Sequence, residues 1–323
     1  MKKHIPAIFA AAAAAIALAI TGCSSQGGAR NEASAAPELD LTIALVTHGA
    51  PGDTFWDIVR KGAEDAAAKN GITLLYASDP DGSKQAQLVQ QYTDQDVNGI
   101  AVSLAKPDAL ASSVEAAVAA GIPVVSLNAG STAWKDLGIL THFGQDEDVA
   151  GAAVGEELKA AGFSHPICVI HEQGNVSLEA RCAGVKNALP DSEIVYVNGQ
   201  DNSAIESTVT AKLQSTPDAD SLIGLGAPVT VTLLGAVAAA NSTVAVASFD
   251  LNAELAQDIK DGSILFTVDQ QPYLQGYEAI DSLVLYNTGG FVIGGGQATL
   301  TGPAIVDADN VDAIVEYSEA GIR

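Results

Sequence analysis

Within one short stretch, LTIALVTHGAPGDTFWD at 41–57, the chain places an imidazole, a carboxylate and two aromatic rings: His48, Asp53, Phe55 and Trp56. A near-continuous apolar run from Leu41 to Thr47 stops at the breakers Gly49, Pro51 and Gly52, and the aromatics follow where a helix would begin. That pattern predicts a buried parallel strand feeding a loop and a helix. Open parallel sheets bind ligands outside the carboxyl ends of their strands, so these side chains are aimed at the place where such a fold works. A core role is the alternative for the two rings, and a structural hydrogen bond the alternative for His48; the stretch alone leaves both open.

Groupings that catalysis requires do not accompany them. The sequence has no GxSxG turn, and the histidines, at 4, 48, 142, 165 and 171, show no close metal-ligand spacing. Scattered aspartates and glutamates could imitate a glycosidase pair, but hydroxyl recognition is the simpler use of carboxylates in such a fold. A binding protein without enzyme activity, metal or cofactor is the expectation.

The elements that position these residues follow an α/β rhythm. Strands are expected at 41–47, 73–77, 100–104 and 123–127, with helices near 55–70, 84–96 and 107–120 between them. After a crossing at 142–145 the rhythm restarts and runs to 249, which implies two lobes, each a parallel sheet with helices on both faces. A strand at 264–268 and a helix at 273–286 come last, before the glycine-rich loop 289–296. That loop is read as a surface turn, because it lacks the lysine and hydroxyl of a phosphate-binding loop.

At 323 residues the chain has room for two domains with well-buried cores. Lysine plus arginine total 15 against 39 aspartate plus glutamate, a net charge of -24 that repels phosphate backbones and argues against a nucleic-acid partner. Residues 1–22 read as a targeting signal: two lysines, an apolar run at 5–20 too short for the roughly 20 residues of a membrane span, and ITGC at its end. This resembles a bacterial lipoprotein signal, cut before a lipidated Cys23, with an accidental cysteine after an ordinary secretory signal as the alternative. Residues 23–38 form a flexible tether. Outside the cytoplasm Cys168 and Cys182, 14 positions apart, are expected to pair, two buried thiols being the alternative.

Five separated pieces now line up in order: IALVTHGAPGDTFWD at 43–57, AAVAAGIPVVSLNAG at 116–130, GNVSLEARCAGV at 174–185, VASFDLN at 246–252 and LFTVDQQPYLQGYEA at 265–279. Together they resemble the sugar-binding proteins of bacterial ABC importers, the ribose-binding type with the periplasmic binding protein type I fold, over residues 39–311. The resemblance implies two Rossmann-like lobes joined by three crossings, near 143–145, 270–272 and 301–303. Lobe 1 would then be 39–144 plus 271–300, and lobe 2 145–270 plus 301–323, closing on a ligand as rigid bodies.

Carried onto this sequence, the resemblance implies a ligand-binding set of His48, Asp53, Phe55, Trp56, Ser103, Asn128, Asn175, Glu179, Arg181, Gln200, Asp250 and Gln270. Asp53 replaces the family's asparagine before the aromatic pair, Asn128 stands where the ribose binder has aspartate, and Ala129 where it has arginine. Glu179 falls at a second arginine position, with Arg181 two residues on. Gln200 aligns near the second-lobe aromatic and Gly226 near a pocket asparagine, whereas Asp250 and Gln270 match the family. Fewer arginines and more carboxylates suit a neutral ligand that donates from hydroxyls. One-sided aromatic cover favours an open-chain tetritol or pentitol, or another small sugar. The implied partners are an ABC permease and its ATPase, with membrane contact only through the lipid at the outer face of the cell membrane, and the protein itself a monomer. A sensor partnering a chemoreceptor or sensor kinase would use the same pocket. A sugar-responsive repressor is excluded by the signal and the missing helix-turn-helix.

Overall fold

A computed structural model describes residues 39–323; the expected signal, the tether and Cys23 lie outside them. Strand β1 (Thr42–Thr47) leads through the Asp53-capped helix α1 (Thr54–Asn70) to β2 (Thr73–Ser78). Helix α2 (Gly82–Asp94), β3 (Gly99–Ser103), α3 (Pro107–Ala119), β4 (Val124–Asn128) and the short β5 (His142–Gly144) follow. The second half repeats the alternation: α4 (Glu147–Ala160), β6 (Pro166–Ile170), α5 (Val176–Ala188), β7 (Glu193–Tyr196), α6 (Asn202–Ser215), β8 (Ser221–Gly224), α7 (Ala227–Ala239), β9 (Ala245–Phe249), α8 (Ala253–Lys260) and β10 (Phe266–Asp269). Helix α9 (Pro272–Gly289), β11 (Thr299–Leu300), β12 (Ala304–Asp307) and α10 (Val315–Glu319) complete the chain.

The strands form two six-stranded sheets, in the orders β11-β5-β4-β3-β1-β2 and β12-β10-β9-β8-β6-β7. All the pairings are parallel except β10 with β12. Period-two alternation makes the strands two-faced in their packing while apolar throughout, as covering helices on both sides require. In β1, Ile43 and Leu45 pack with Trp56, Val59 and Leu283 under α1 and α9, whereas Ala44 and Val46 pack with Val89, Leu110 and Val114 under α2 and α3. In β6, Cys168 and Ile170 face Val154, Val185 and Phe249, and Ile167 and Val169 face Ile205, Val209 and Leu233. A disulfide joins Cys168 to Cys182 with Cα atoms 5.9 Å apart, inside that first cluster.

The chain passes between the sheets after Gly144, between Asp269 and Pro272, and between Leu300 and Ala304. Two features differ from the sequence reading. Residues His142–Gly144, expected as a bare crossing, pair with β4, and Thr299–Leu300 pair beside them. Helix α8 has no counterpart in that reading, although Asn252 caps it by accepting from the Leu255 N–H at 2.8 Å. Three residues of strand and eight of helix are too few for periodicity to register.

Candidate functional site

The carboxyl ends of the strands of both sheets face one cleft of about 1530 Å³. Its hinge-side floor is a chain of side-chain hydrogen bonds. Asn128, at the end of β4, donates from Nδ2 to Gln270 Oε1 at 3.2 Å, and Gln270 Nε2 donates to Asp250 Oδ1 at 2.6 Å. Gln275 Nε2 donates to the same Gln270 Oε1 at 2.9 Å, which fixes the orientation of the Gln270 amide. Asn128 and Asp250 both hold left-handed backbone conformations, with φ of 63° and 65°. Such conformations are costly for residues other than glycine, and they occur here at matching ends of the two sheets, where they turn the side chains into the cleft.

One wall comes from β1 and α1. Asp53 accepts from the Phe55 N–H at 3.0 Å, so its carboxylate serves as the helix cap, worth about 1 kcal/mol, while lining the cleft. Phe55 and Trp56 meet edge to face at 5.1 Å between centroids, 6% and 5% exposed, and belong both to the core cluster and to the lining. The two roles left open by the sequence are therefore compatible: the rings are buried on one side and present an edge or face on the other. His48 stands at 4.7 Å from the Trp56 ring. Ser103 Oγ accepts from the His48 N–H at 3.0 Å and from Gln85 Nε2 at 3.3 Å, and is hydrogen-bonded to His48 Nδ1 at 2.7 Å. Nε2 of His48 faces the other lobe, 3.4 Å from Asn175 Nδ2 and 3.9 Å from Glu172 Oε2. Burial lowers the His48 pKa to about 4, against the pull of Glu172 and with the help of Lys106 and Arg181, so the ring is neutral.

The opposite wall is built around Arg181 on α5, 2% exposed. Its Nε and Nη2 donate to Glu147 Oε2 and Oε1 at 2.7 and 3.0 Å, and its Nη1 donates to the Leu225 carbonyl at 3.0 Å. The guanidinium lies over the Phe249 ring at 4.6 Å and reaches to 3.8 Å from Asp250 Oδ2. Burial pushes the Asp250 pKa up to about 7 despite the opposing pull of Arg181 and Gln270; burial likewise takes Asp53 to about 6. His171, after β6, is neutral for the same reason as His48, its pKa lowered to about 4 by burial, and its Nδ1 has no partner among the described residues. Gly226 leaves room there, since a Cβ at that position would stand 3.3 Å from His171 Cε1. The two lobes also touch directly: Lys106 pairs with Glu172 at 2.8 Å, and the Val176 N–H donates to the Ala105 carbonyl at 3.0 Å.

Of the residues expected from sequence, the cleft brings together His48, Asp53, Phe55, Trp56, Asn128, Asn175, Arg181, Asp250 and Gln270, with Gln200 exposed at its outer rim. Ser103 is fully buried behind His48 and orients that ring without lining the cleft. Glu179 requires a correction: it lies outside the lining and accepts from the Tyr196 hydroxyl at 3.0 Å. Residues two apart on a helix point to opposite sides, so only one of Glu179 and Arg181 can face inward, and the arginine does. The cleft thus holds Arg181, which the expected set named, in place of the Glu179 named beside it. Glu147, His171, Glu172 and Lys106 were absent from the expected set. A strand-end position marks His171, whereas Glu147 carries no local signal because its partner lies 34 residues away.

Comparison with known proteins agrees with this geometry. The periplasmic binding protein domain model matches residues 43–290. A solved carbohydrate transporter from Acidothermus cellulolyticus 11B, in complex with myo-inositol, is 48% identical with a TM-score of 0.87, covering 88% of this chain and all of that one. The ribose import binding protein RbsB of Bacillus subtilis is 25% identical over 255 residues, 76% of this chain and 80% of that protein. The xylose/arabinose-binding protein XylF of Sulfolobus acidocaldarius is 28% identical over 210 residues, 59% of this chain and 52% of that protein, so the chain spans about half the length of that relative. With a family match over most of its length and a cleft at the strand ends of two parallel sheets, the chain belongs to the periplasmic binding protein family.

Proposed function

We propose that the protein captures a neutral, hydroxyl-rich ring, a cyclic polyol of the inositol kind, in the interlobe cleft and delivers it to the membrane permease of an ABC importer. The observation that carries this reading is the floor, where Asn128, Gln270 and Asp250 are held in one hydrogen-bonded row that offers acceptors and donors to successive ring hydroxyls. Phe55 and Trp56 offer a partner for the C–H side of the ring. Arg181 is already paired with Glu147, so it offers hydrogen bonds without a demand for an anion. The myo-inositol held by the Acidothermus protein supports the cyclic form. The one-sided aromatic cover that suggested an open-chain tetritol or pentitol is compatible with a cyclic polyol too, since Phe55 and Trp56 both line the cleft. The lipid expected at Cys23 would hold the protein at the outer face of the membrane.

A thermal-shift screen of myo-inositol, ribose, xylose, erythritol, ribitol, amino acids and phosphate tests the reading. Myo-inositol is expected to raise the melting temperature most; at 100 times its dissociation constant a ligand stabilises the native state by about 2.7 kcal/mol. A shift from amino acids or phosphate alone would overturn the assignment, and a larger shift from erythritol or ribitol would restore the open-chain polyol.

A further inference from the structure

The buried Glu147 has no access to the cleft, yet it takes two of the N–H groups of the arginine that lines it. We infer that Glu147 makes the cleft selective for uncharged ligands by cancelling the charge of Arg181 and occupying its side-on face, Nε with Nη2. The inference rests on the neutral-polyol reading above and adds the residue that enforces it.

A buried guanidinium presented to a cleft is a natural carboxylate or phosphate clamp, because its paired N–H groups match those anions. Here the paired edge, Nε with Nη2, is turned away from the cleft and closed by both oxygens of Glu147. Both side chains are 3% exposed, so water does not screen the pairing. Glu147 is held in turn: it is the first residue of α4, where the helix N-terminus favours a negative charge, and its Oε2 also accepts from Gln145 Nε2 at 2.9 Å. A third N–H of Arg181 goes to the Leu225 carbonyl. One N–H on each terminal nitrogen remains, free to donate to hydroxyl oxygens, while the carboxylate of Glu147 beside the guanidinium cancels the charge that would hold an anion there. The nearest further charge is Asp250, whose Oδ2 stands 3.8 Å from Nη1 and repels a ligand carboxylate.

Glu147 is therefore a positioning residue, and its effect should be read in the charge preference of binding rather than in affinity alone. Myo-inositol and D-glucuronate are the probes, measured by calorimetry on the wild type, on Glu147→Gln, and on the double variant Glu147→Gln with Arg181→Gln. The wild type is expected to bind myo-inositol and to bind D-glucuronate at least a hundredfold more weakly. In Glu147→Gln myo-inositol should weaken several-fold, while the ratio of D-glucuronate to myo-inositol affinity rises at least tenfold and that gain disappears at high salt. The double variant removes both members of the pair, so neither is left without the other, and its ratio should return to within threefold of the wild type. An unchanged ratio in folded Glu147→Gln, or a ratio in the double variant as high as in the single one, overturns the inference and leaves the polyol reading standing. Failure of the wild type to bind any neutral polyol overturns the polyol reading, and this inference with it.

Discussion

Asp250 carries the chemistry that pH can report. Its pKa is raised from 3.8 to about 7 by burial, while Arg181 and Gln270 pull it down and Glu147 and Asp53 push it further up. A carboxyl raised in the folded state favours the unliganded protein fully below pH about 4; that contribution is lost as pH rises through about 7, up to a few kcal/mol. Ligand binding has the opposite sign: hydroxyls that donate to Asp250 need the carboxylate, so affinity should rise between pH 5.5 and 8, and binding near pH 6.5 should release protons. Calorimetry in two buffers of different ionisation enthalpy measures that release. Asp250→Asn should remove most of the slope and, at pH 8, weaken binding by about 10- to 100-fold, the equivalent of roughly 1.5–3 kcal/mol for a hydrogen bond to a charged group. Equal affinity of the wild type at pH 5.5 and 8 would show that Asp250 does not accept from the ligand. The floor residues Asn128, Asp250 and Gln270 were legible through the family resemblance, and each also ends or follows an apolar strand, where this fold class exposes side chains to its cleft. Arg181 and Glu179 were not separable in sequence alignment, since a choice between them needs the phase of α5 against the sheet. Glu147 was illegible for a further reason: a partnership across 34 residues leaves no pattern in either segment.

Those two residues meet because α4 and α5 approach closely. A Cβ built on Gly151 of α4 would lie 2.0 Å from the Arg181 carbonyl oxygen, and one on Gly184 of α5 would lie 2.3 Å from the Asp148 carbonyl oxygen. Small residues at facing positions let the helix backbones come within reach of each other, and the distance they set is the distance between the bases of Glu147 and Arg181. Gly184→Ala must push the helices apart, because backbone on the facing helix cannot yield as a side-chain tip would. A loss of about 1–3 kcal/mol is expected for such overpacking, together with a weaker ligand shift, both measured by chemical denaturation with and without ligand. Native stability with normal ligand binding would show that α4 and α5 are free to adjust. At this scale the sequence was a good guide to β1 and α1, where an apolar run, three breakers and an amphipathic helix follow one another. It was a poor guide to β5, β11 and α8, whose pairing partners or caps define them and whose lengths fall below any repeating pattern.

The two lobes are joined by three crossings and also touch across the cleft, and the second kind of contact governs how ready the protein is to bind. Lys106 of the first lobe pairs with Glu172 of the second at 2.8 Å, the Ala105 carbonyl accepts from the Val176 N–H at 3.0 Å, and Asn252 reaches Thr54 on the far flank at 3.4 Å. All three join residues whose sheets are different, so all three must break when the lobes swing open. The ion pair is partly exposed, its side chains 30% and 21% accessible, which limits it to about 1 kcal/mol. That is enough to change the ratio of closed to open molecules about fivefold, and a ligand that needs the closed form loses affinity as the closed fraction falls. Lys106→Met keeps much of the apolar stem and removes the charge. Without ligand, its radius of gyration by small-angle X-ray scattering should exceed that of the wild type, and with saturating ligand the two should coincide. Its affinity should fall by at most about fivefold, with the loss concentrated at low salt, since salt already screens the pair in the wild type. Raising the salt should therefore bring wild type and variant together. If the unliganded variant scatters like the wild type and binds with equal affinity at low salt, the pair is a surface contact that closure forms at no advantage. A smaller radius in the variant would mean that Lys106 holds the lobes apart rather than together.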